Sequence, residues 1–213
     1  MKLTTTLMAL AIASSAAIAP NAFAQSADLS ITGKILPGAC VIDLSNGGVA
    51  DFGDIRSNAL ETDTSTPLDA VELTISVTCD AETLLAFEGI DNAEGSSYVA
   101  HRYGLGRTAE DEKIGSATIG LKGVSIDSKP GFATTSYDGG ATWSNGVAGN
   151  PAPIPTDGMV GFTETQGDAA GPSGMKSLQG TLEVKAFIAP SAALTLTSEV
   201  LINGKATINV MYL

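Results

Sequence analysis

The chain has 213 residues, 11 of them lysine or arginine and 23 aspartate or glutamate, for a net charge of −12. Such acidity argues against nucleic acid and anionic lipid as partners, because both would be repelled. The length suits one domain with a sizeable core, or a domain carrying a large insertion.

Met1-Lys2 is a short positive start. The apolar run beginning at Leu7-Met8-Ala9-Leu10 is too short to span a membrane, and Ala22-Phe23-Ala24 is a small-x-small cleavage site. Residues 1–24 therefore read as a secretory signal, with the mature chain, 25–213, starting at Gln25. Cleavage there leaves 189 residues and, with Lys2 gone, a net charge of −13. No later stretch has about eighteen consecutive apolar residues, so the expected product is exported and does not span a membrane.

From Gln25 onward the pattern is β. Leu29 to Ile35 alternates, Pro37-Gly38 breaks the strand, and Cys40-Val41-Ile42 follows. Asn46-Gly47-Gly48 is a turn signal, and Val49 to Gly53 reads as a short strand. Residues 54–69 read as a polar connection into Val71-Glu72-Leu73-Thr74-Ile75-Ser76-Val77-Thr78-Cys79. There Val71, Leu73, Ile75, Val77 and Cys79 share one parity, which marks a half-buried strand whose last inward residue is a cysteine.

That position favours a core disulfide over an exposed thiol, and Cys40 is the one other cysteine. Two unpaired buried cysteines would be the default in a cytosolic protein, whereas an export signal favours the bridge. Closing a loop of about 40 residues would stabilise the fold by roughly 4 kcal/mol.

Further strands are predicted at Thr83 to Glu88, Gly115 to Leu121, Leu182 to Ile188, Leu194 to Thr197, Val200 to Ile202 and Thr207 to Leu213. No amphipathic helix of twelve or more residues and no internal repeat stands out. Many short strands with Gly- and Pro-rich turns predict an all-β sandwich. Residues 128–180, rich in Gly, Pro, Ser, Thr and Asp, read as an insertion of loops and hairpins too poor in apolar residues for a core of its own.

Several motifs invite a chemical reading. Ser136-Tyr137-Asp138-Gly139-Gly140-Ala141-Thr142-Trp143 fits the Asp-box pattern of sialidases and other β-propellers. Its physical content is a hairpin: the Asp accepts backbone N–H bonds, the glycine takes a positive φ and the Trp packs beneath. A propeller needs several four-stranded blades and this chain is too short, so Ser136, Asp138, Gly140 and Trp143 are expected to be structural. Tyr103 to Ala109 mimics a Gly-x-Gly-x-x-Ala dinucleotide loop, but the acidic Glu110-Asp111-Glu112 follows where a helix should open. His101 has no nucleophile or orienting acid in register. With both cysteines committed, a zinc site is not expected, and the acidic patch lacks the alternating oxygen ligands of a calcium loop. The expectation is a protein without catalysis, cofactor or metal.

The two ends of the chain carry a resemblance. Ile31-Thr32-Gly33-Lys34-Ile35, Cys40-Val41-Ile42, Asp51-Phe52-Gly53, Leu60 and the strand into Cys79 resemble the first half of chaperone–usher pilin subunits. Gly204-Lys205-Ala206-Thr207-Ile208-Asn209-Val210-Met211-Tyr212-Leu213 is similar to their last strand, with its penultimate tyrosine. Pro37-Gly38-Ala39-Cys40, Asn46-Gly47-Gly48 and Lys113 to Gly120 add a resemblance to the GltF-like subfamily of pilin-related secreted proteins. Together these matches cover about 70 residues.

The resemblance implies an immunoglobulin-like sandwich lacking its final strand. A periplasmic chaperone would lend a strand beside the C-terminal one, and at the outer-membrane usher the extension of another pilin subunit would replace it. Ile208, Val210 and Tyr212 share a parity and would form the acceptor edge, with no strand of the chain expected after them. Ala27, Leu29 and Ile31 would be the donor-strand anchors. Only Gln25 to Ser30 precede Ile31, a reach of about 20 Å, short for filling a whole groove. A minor, tip-proximal or terminating subunit therefore fits as well as a shaft subunit.

The first expectation is a fimbrial subunit at the cell surface or in the periplasm, with a role in adhesion. The second is a self-complete periplasmic or secreted sandwich binding a ligand such as a glycan around Trp143. Glycosidase activity, resting on one Asp box with no carboxylate pair, comes third.

Overall fold

The computed structural model describes residues 40–148 and 151–213. The signal segment, the predicted strand Leu29 to Ile35 and the donor candidates Ala27, Leu29 and Ile31 lie outside the described residues. Twelve strands follow in chain order. They are β1 Cys40–Leu44, β2 Thr66–Pro67, β3 Val71–Thr83, β4 Leu85–Asp91, β5 Tyr103–Gly104 and β6 Gly115–Ile126. After these come β7 Lys129–Pro130, β8 Phe132–Ser136, β9 Ala152–Pro153, β10 Met159–Thr163, β11 Met175–Ile188 and β12 Ala206–Tyr212. Among the described residues the helical content is short 3-10 turns, and no helix is long and apolar enough to cross a membrane.

Two antiparallel sheets form a sandwich. The first has the order β1-β3-β11-β6-β5, with β2 added to β11 and β7 and β9 added to β6. The second has the order β12-β4-β10-β8. Their inner faces meet in one apolar cluster, with Leu73, Ile75 and Val77 of β3 and Leu178 and Leu182 of β11 joining Phe87 of β4 and Val160 and Phe162 of β10. Phe87 and Phe162 pack edge to face, their ring centroids 6.4 Å apart, a geometry favoured by the ring quadrupoles.

The alternation read in β3 is met: Leu73, Ile75, Val77 and Cys79 are buried while Glu72, Thr74 and Thr78 are exposed. Cys40 stands directly opposite Cys79 in the β1–β3 ladder, and the two are joined by a disulfide. In β6 the inward parity changes along the strand, from Ala117, Ile119 and Leu121 to Val124 and Ile126. The change sits at Gly123, whose φ of +59° marks a bulge, where the register with β11 also shifts. The extra residue lets both ends of a long strand face the same core.

Three strand expectations are corrected. Val49 to Gly53 is not in a strand, because Asp51 Oδ1 accepts the Gly53 N–H at 2.8 Å and Gly53 takes a φ of +62°, a turn that leaves the ladder. Leu194 to Thr197 and Val200 to Ile202 are likewise irregular. Their backbone finds other partners: Thr195 N–H donates to the Glu112 carboxylate at 2.7 Å and Asn203 N–H to the Leu105 carbonyl at 3.0 Å. Residues 128–180 are built into the sandwich. They contribute β8 and β10, two of the four strands of the second sheet, and all five residues of β10 are buried.

Candidate functional site

The strand β12 pairs along its length with β4, from Ala206 opposite Asp91 to Tyr212 opposite Leu85. On its other side no described strand is hydrogen-bonded to it. At its start lies a groove made of two adjoining cavities of about 490 and 530 Å³, which share Ala50, Asp51, Phe52 and Ile202; Ala206 and Ile208 of β12 line it, whereas Val210 and Tyr212 do not. One wall is the irregular segment around Gly48 to Ile55, and the other is the stretch from Ser198 into Ile208. Leu73, Ala117, Ile119, Leu182 and Val184 from the first sheet form part of the lining. Leu73, Ala117, Ile119 and Leu182 are themselves buried, so among the described residues the groove is a shallow cleft over a closed core.

Ile208 and Val210 pack against the core cluster, half-buried, and the Tyr212 hydroxyl accepts the Cys40 N–H at 3.1 Å. The disulfide and the end of β12 thus meet at one end of the molecule. Deeper in the groove Tyr103 is buried and donates its hydroxyl to the Ile154 carbonyl at 2.9 Å. Burial, helped by the nearby Asp91 charge, pushes this phenol well above its ordinary range, so it stays a neutral donor. Gly89, opposite Ile208 on β4, leaves room for it, since a side chain there would strike the Tyr103 ring.

The groove walls, Gly48 to Ile55 and Ser198 to Ile202, carry only a weak signal in the sequence: Phe52, Ile55, Val200 and Ile202 are apolar without a strand's regular alternation or a clear partner.

The hairpin between β8 and β10 is built as expected for an Asp box. Asp138 Oδ1 accepts from Ser136 Oγ at 2.8 Å and from Thr142 N–H at 2.9 Å, and Oδ2 accepts from Thr142 Oγ1 at 2.5 Å. These bonds, the Thr142 hydroxyl first, hold the Asp138 carboxyl at about 2. Gly139 and Gly140 take φ of +71° and +90°. The Trp143 indole donates Nε1–H to the Gly140 carbonyl at 3.1 Å and lies against Gly171. All of these bonds close the hairpin on itself.

His101 sits in a turn with φ of +58°, its Nδ1 3.2 Å from the Asp157 carboxylate, and is well exposed. Glu112 accepts from Thr195 N–H, Thr195 Oγ1 and Thr108 Oγ1, so its carboxyl is held below the ordinary value, the Thr195 backbone bond first. The glycine loop from Tyr103 begins as β5 and continues in loops and turns, with no helix opening after it. No group of three or more metal-ligating side chains was found among the described residues.

Residues 29–102 match a family described as "Protein of unknown function (DUF1120)". That span includes β1, β3, β4 and the Gly48 to Ile55 wall of the groove. The chain is also similar to "Protein GltF" of Escherichia coli strain K12, 29% identical over 137 residues and covering 53% of each chain. It thus spans about half the length of that relative. A second similarity, to "Uncharacterized protein YhcF" of the same strain, is 27% identical over 240 aligned residues. It covers 96% of this chain and 98% of that one. The likeness to GltF agrees with the GltF-like resemblance read from the sequence.

Proposed function

We propose that the chain is a pilin-type structural subunit whose sandwich is completed by a strand from another polypeptide. A periplasmic chaperone donates the strand first; at the outer-membrane usher, a neighbouring subunit's extension replaces it, building a surface fimbria with a role in adhesion. No catalytic step is involved. The observation that carries this reading is the edge of β12, hydrogen-bonded on one side among the described residues, with a cleft at its start where Ala206 and Ile208 meet apolar residues such as Leu73, Ile119 and Leu182.

The physics favours strand addition. A row of N–H and C=O groups along β12 offers main-chain hydrogen bonds, and the lining offers pockets for alternate side chains. An unpaired strand edge is also an aggregation hazard, which a dedicated escort would suppress. The alternative, a self-complete sandwich that binds a glycan at Trp143, finds less support, because the indole N–H is already used inside its own hairpin.

The test is expression of the chain with and without a chaperone encoded beside it. The expected result is aggregation or rapid proteolysis alone, and a stable one-to-one complex when the two are made together. A heat-stable monomer obtained without any partner would overturn the reading.

A further inference from the structure

The groove is apolar in its floor but its charge is not evenly spread. In the stretch walled by Ser198 to Ile202, the apolar lining of Ile55, Leu60, Ile114, Leu194 and Leu196 is accompanied by Asp51, Asp54 and Glu199, with no lysine or arginine among the lining residues. Arg56, next to Ile55, is exposed and does not line this stretch. In the adjoining stretch the charged lining residues are Asp51 and Lys205. None of the three carboxylates is ion-paired among the described residues, where the ion pairs involve His101, Arg107, Lys122 and Lys129. Among the described residues, Asp51 Oδ1 accepts the Gly53 N–H within its own turn.

A strand paired with β12 and continuing past Ala206 along Ser198 to Ile202 would bring its end beside these three anions while covering the partly exposed apolar residues Ile55, Leu60 and Leu196. Covering the floor removes water, and the low-dielectric walls strengthen whatever charge interaction remains. An acidic end would be repelled, a neutral end would leave the carboxylates uncompensated, and a basic end would pair with them. We propose that the occupant of this groove is an apolar strand with a lysine or arginine at the end that lies against Asp51, Asp54 and Glu199. This rests on the strand-accepting reading above and adds to it a selector: the acidic pole sets which strands fit and in which direction they enter.

The experiment uses three synthetic peptides of alternating valine and threonine, ended with Lys-Lys, Gln-Gln or Glu-Glu. Each is labelled and titrated against the purified chain by fluorescence anisotropy, at low and at high salt. The Lys-ended peptide is expected to bind at least about fivefold more tightly than the Gln-ended one, as several weak exposed ion pairs would give. The Glu-ended peptide should bind weakest, and the differences should shrink as salt screens them. The advantage should vanish in the Asp51→Asn, Asp54→Asn, Glu199→Gln triple variant and persist in Lys205→Gln. If the triple variant fails to fold, Glu199→Gln alone should show a partial loss. Equal binding of Lys- and Gln-ended peptides, or an advantage that survives neutralisation of the carboxylates, overturns the charge selection and leaves the groove reading standing. If no peptide binds at all, the strand-accepting reading fails and this inference fails with it.

Discussion

Asp138 satisfies three donors with one carboxylate, and those bonds exist only while it is ionised. Its folded pKa lies near 2, below the ordinary 3.8, so its contribution is fully present above about pH 4 and is lost as the pH falls toward 2. Asp138→Ala should therefore lower the melting temperature at neutral pH, and the gap from the unaltered protein should close on acidification through that window. A melting series against pH reads this directly. Glu112 acts in the same direction, because its carboxyl is also held low by the bonds from Thr195 and Thr108. The Cys40–Cys79 bridge spans a separation of 39 residues, and its removal in the Cys40→Ser, Cys79→Ser pair should cost roughly 4 kcal/mol. Urea unfolding with and without reductant checks it. The effect in the unaltered protein should match that of the double substitution.

Among the elements, β10 behaves least like its sequence. Met159-Val160-Gly161-Phe162-Thr163 is a short apolar run between turn-rich stretches, too brief to show a period, yet it lies between β4 and β8 with every residue buried. Gly161 is needed because a side chain there would collide with Pro172. Phe162→Ala removes the edge-to-face partner of Phe87 from a fully packed site and should destabilise the protein by about 3–5 kcal/mol. The fall in the urea midpoint measures it. If residues 128–180 were a detachable insertion, the loss would be small; because β10 is an inner strand, it should be large. In β6 the two parities are reconciled by the Gly123 bulge, a feature that alternation alone reads as the end of a strand at Leu121.

For the whole molecule, the cleft at the start of β12 is the feature on which the proposed function rests. Leu73, Ile119 and Leu182 belong to the inner face of the first sheet, yet they also line the groove beside β12. The purified chain should therefore bind an apolar dye such as anilinonaphthalene sulfonate in its folded state. The fluorescence should fall when a strand-forming peptide is added. A folded chain that leaves the dye dark would mean that the flank is already closed.

The β class, the inward parity of β3, the cysteine pair and the hairpin around Asp138 were legible because each depends on neighbours within a few residues or on a composition that permits one reading. Strand alternation has a period of two, and a hairpin's donors lie inside its own turn. Which segments become groove walls was not legible, because Gly48 to Ile55 and Ser198 to Ile202 are distant in the chain and acquire their role only when two sheets leave a gap between them. The same holds for the meeting of Asp51, Asp54 and Glu199, and for the place of β10 within its sheet. Burial and juxtaposition across long separations depend on how the sheets pack, and the packing of the two sheets is a property of the folded chain as a whole.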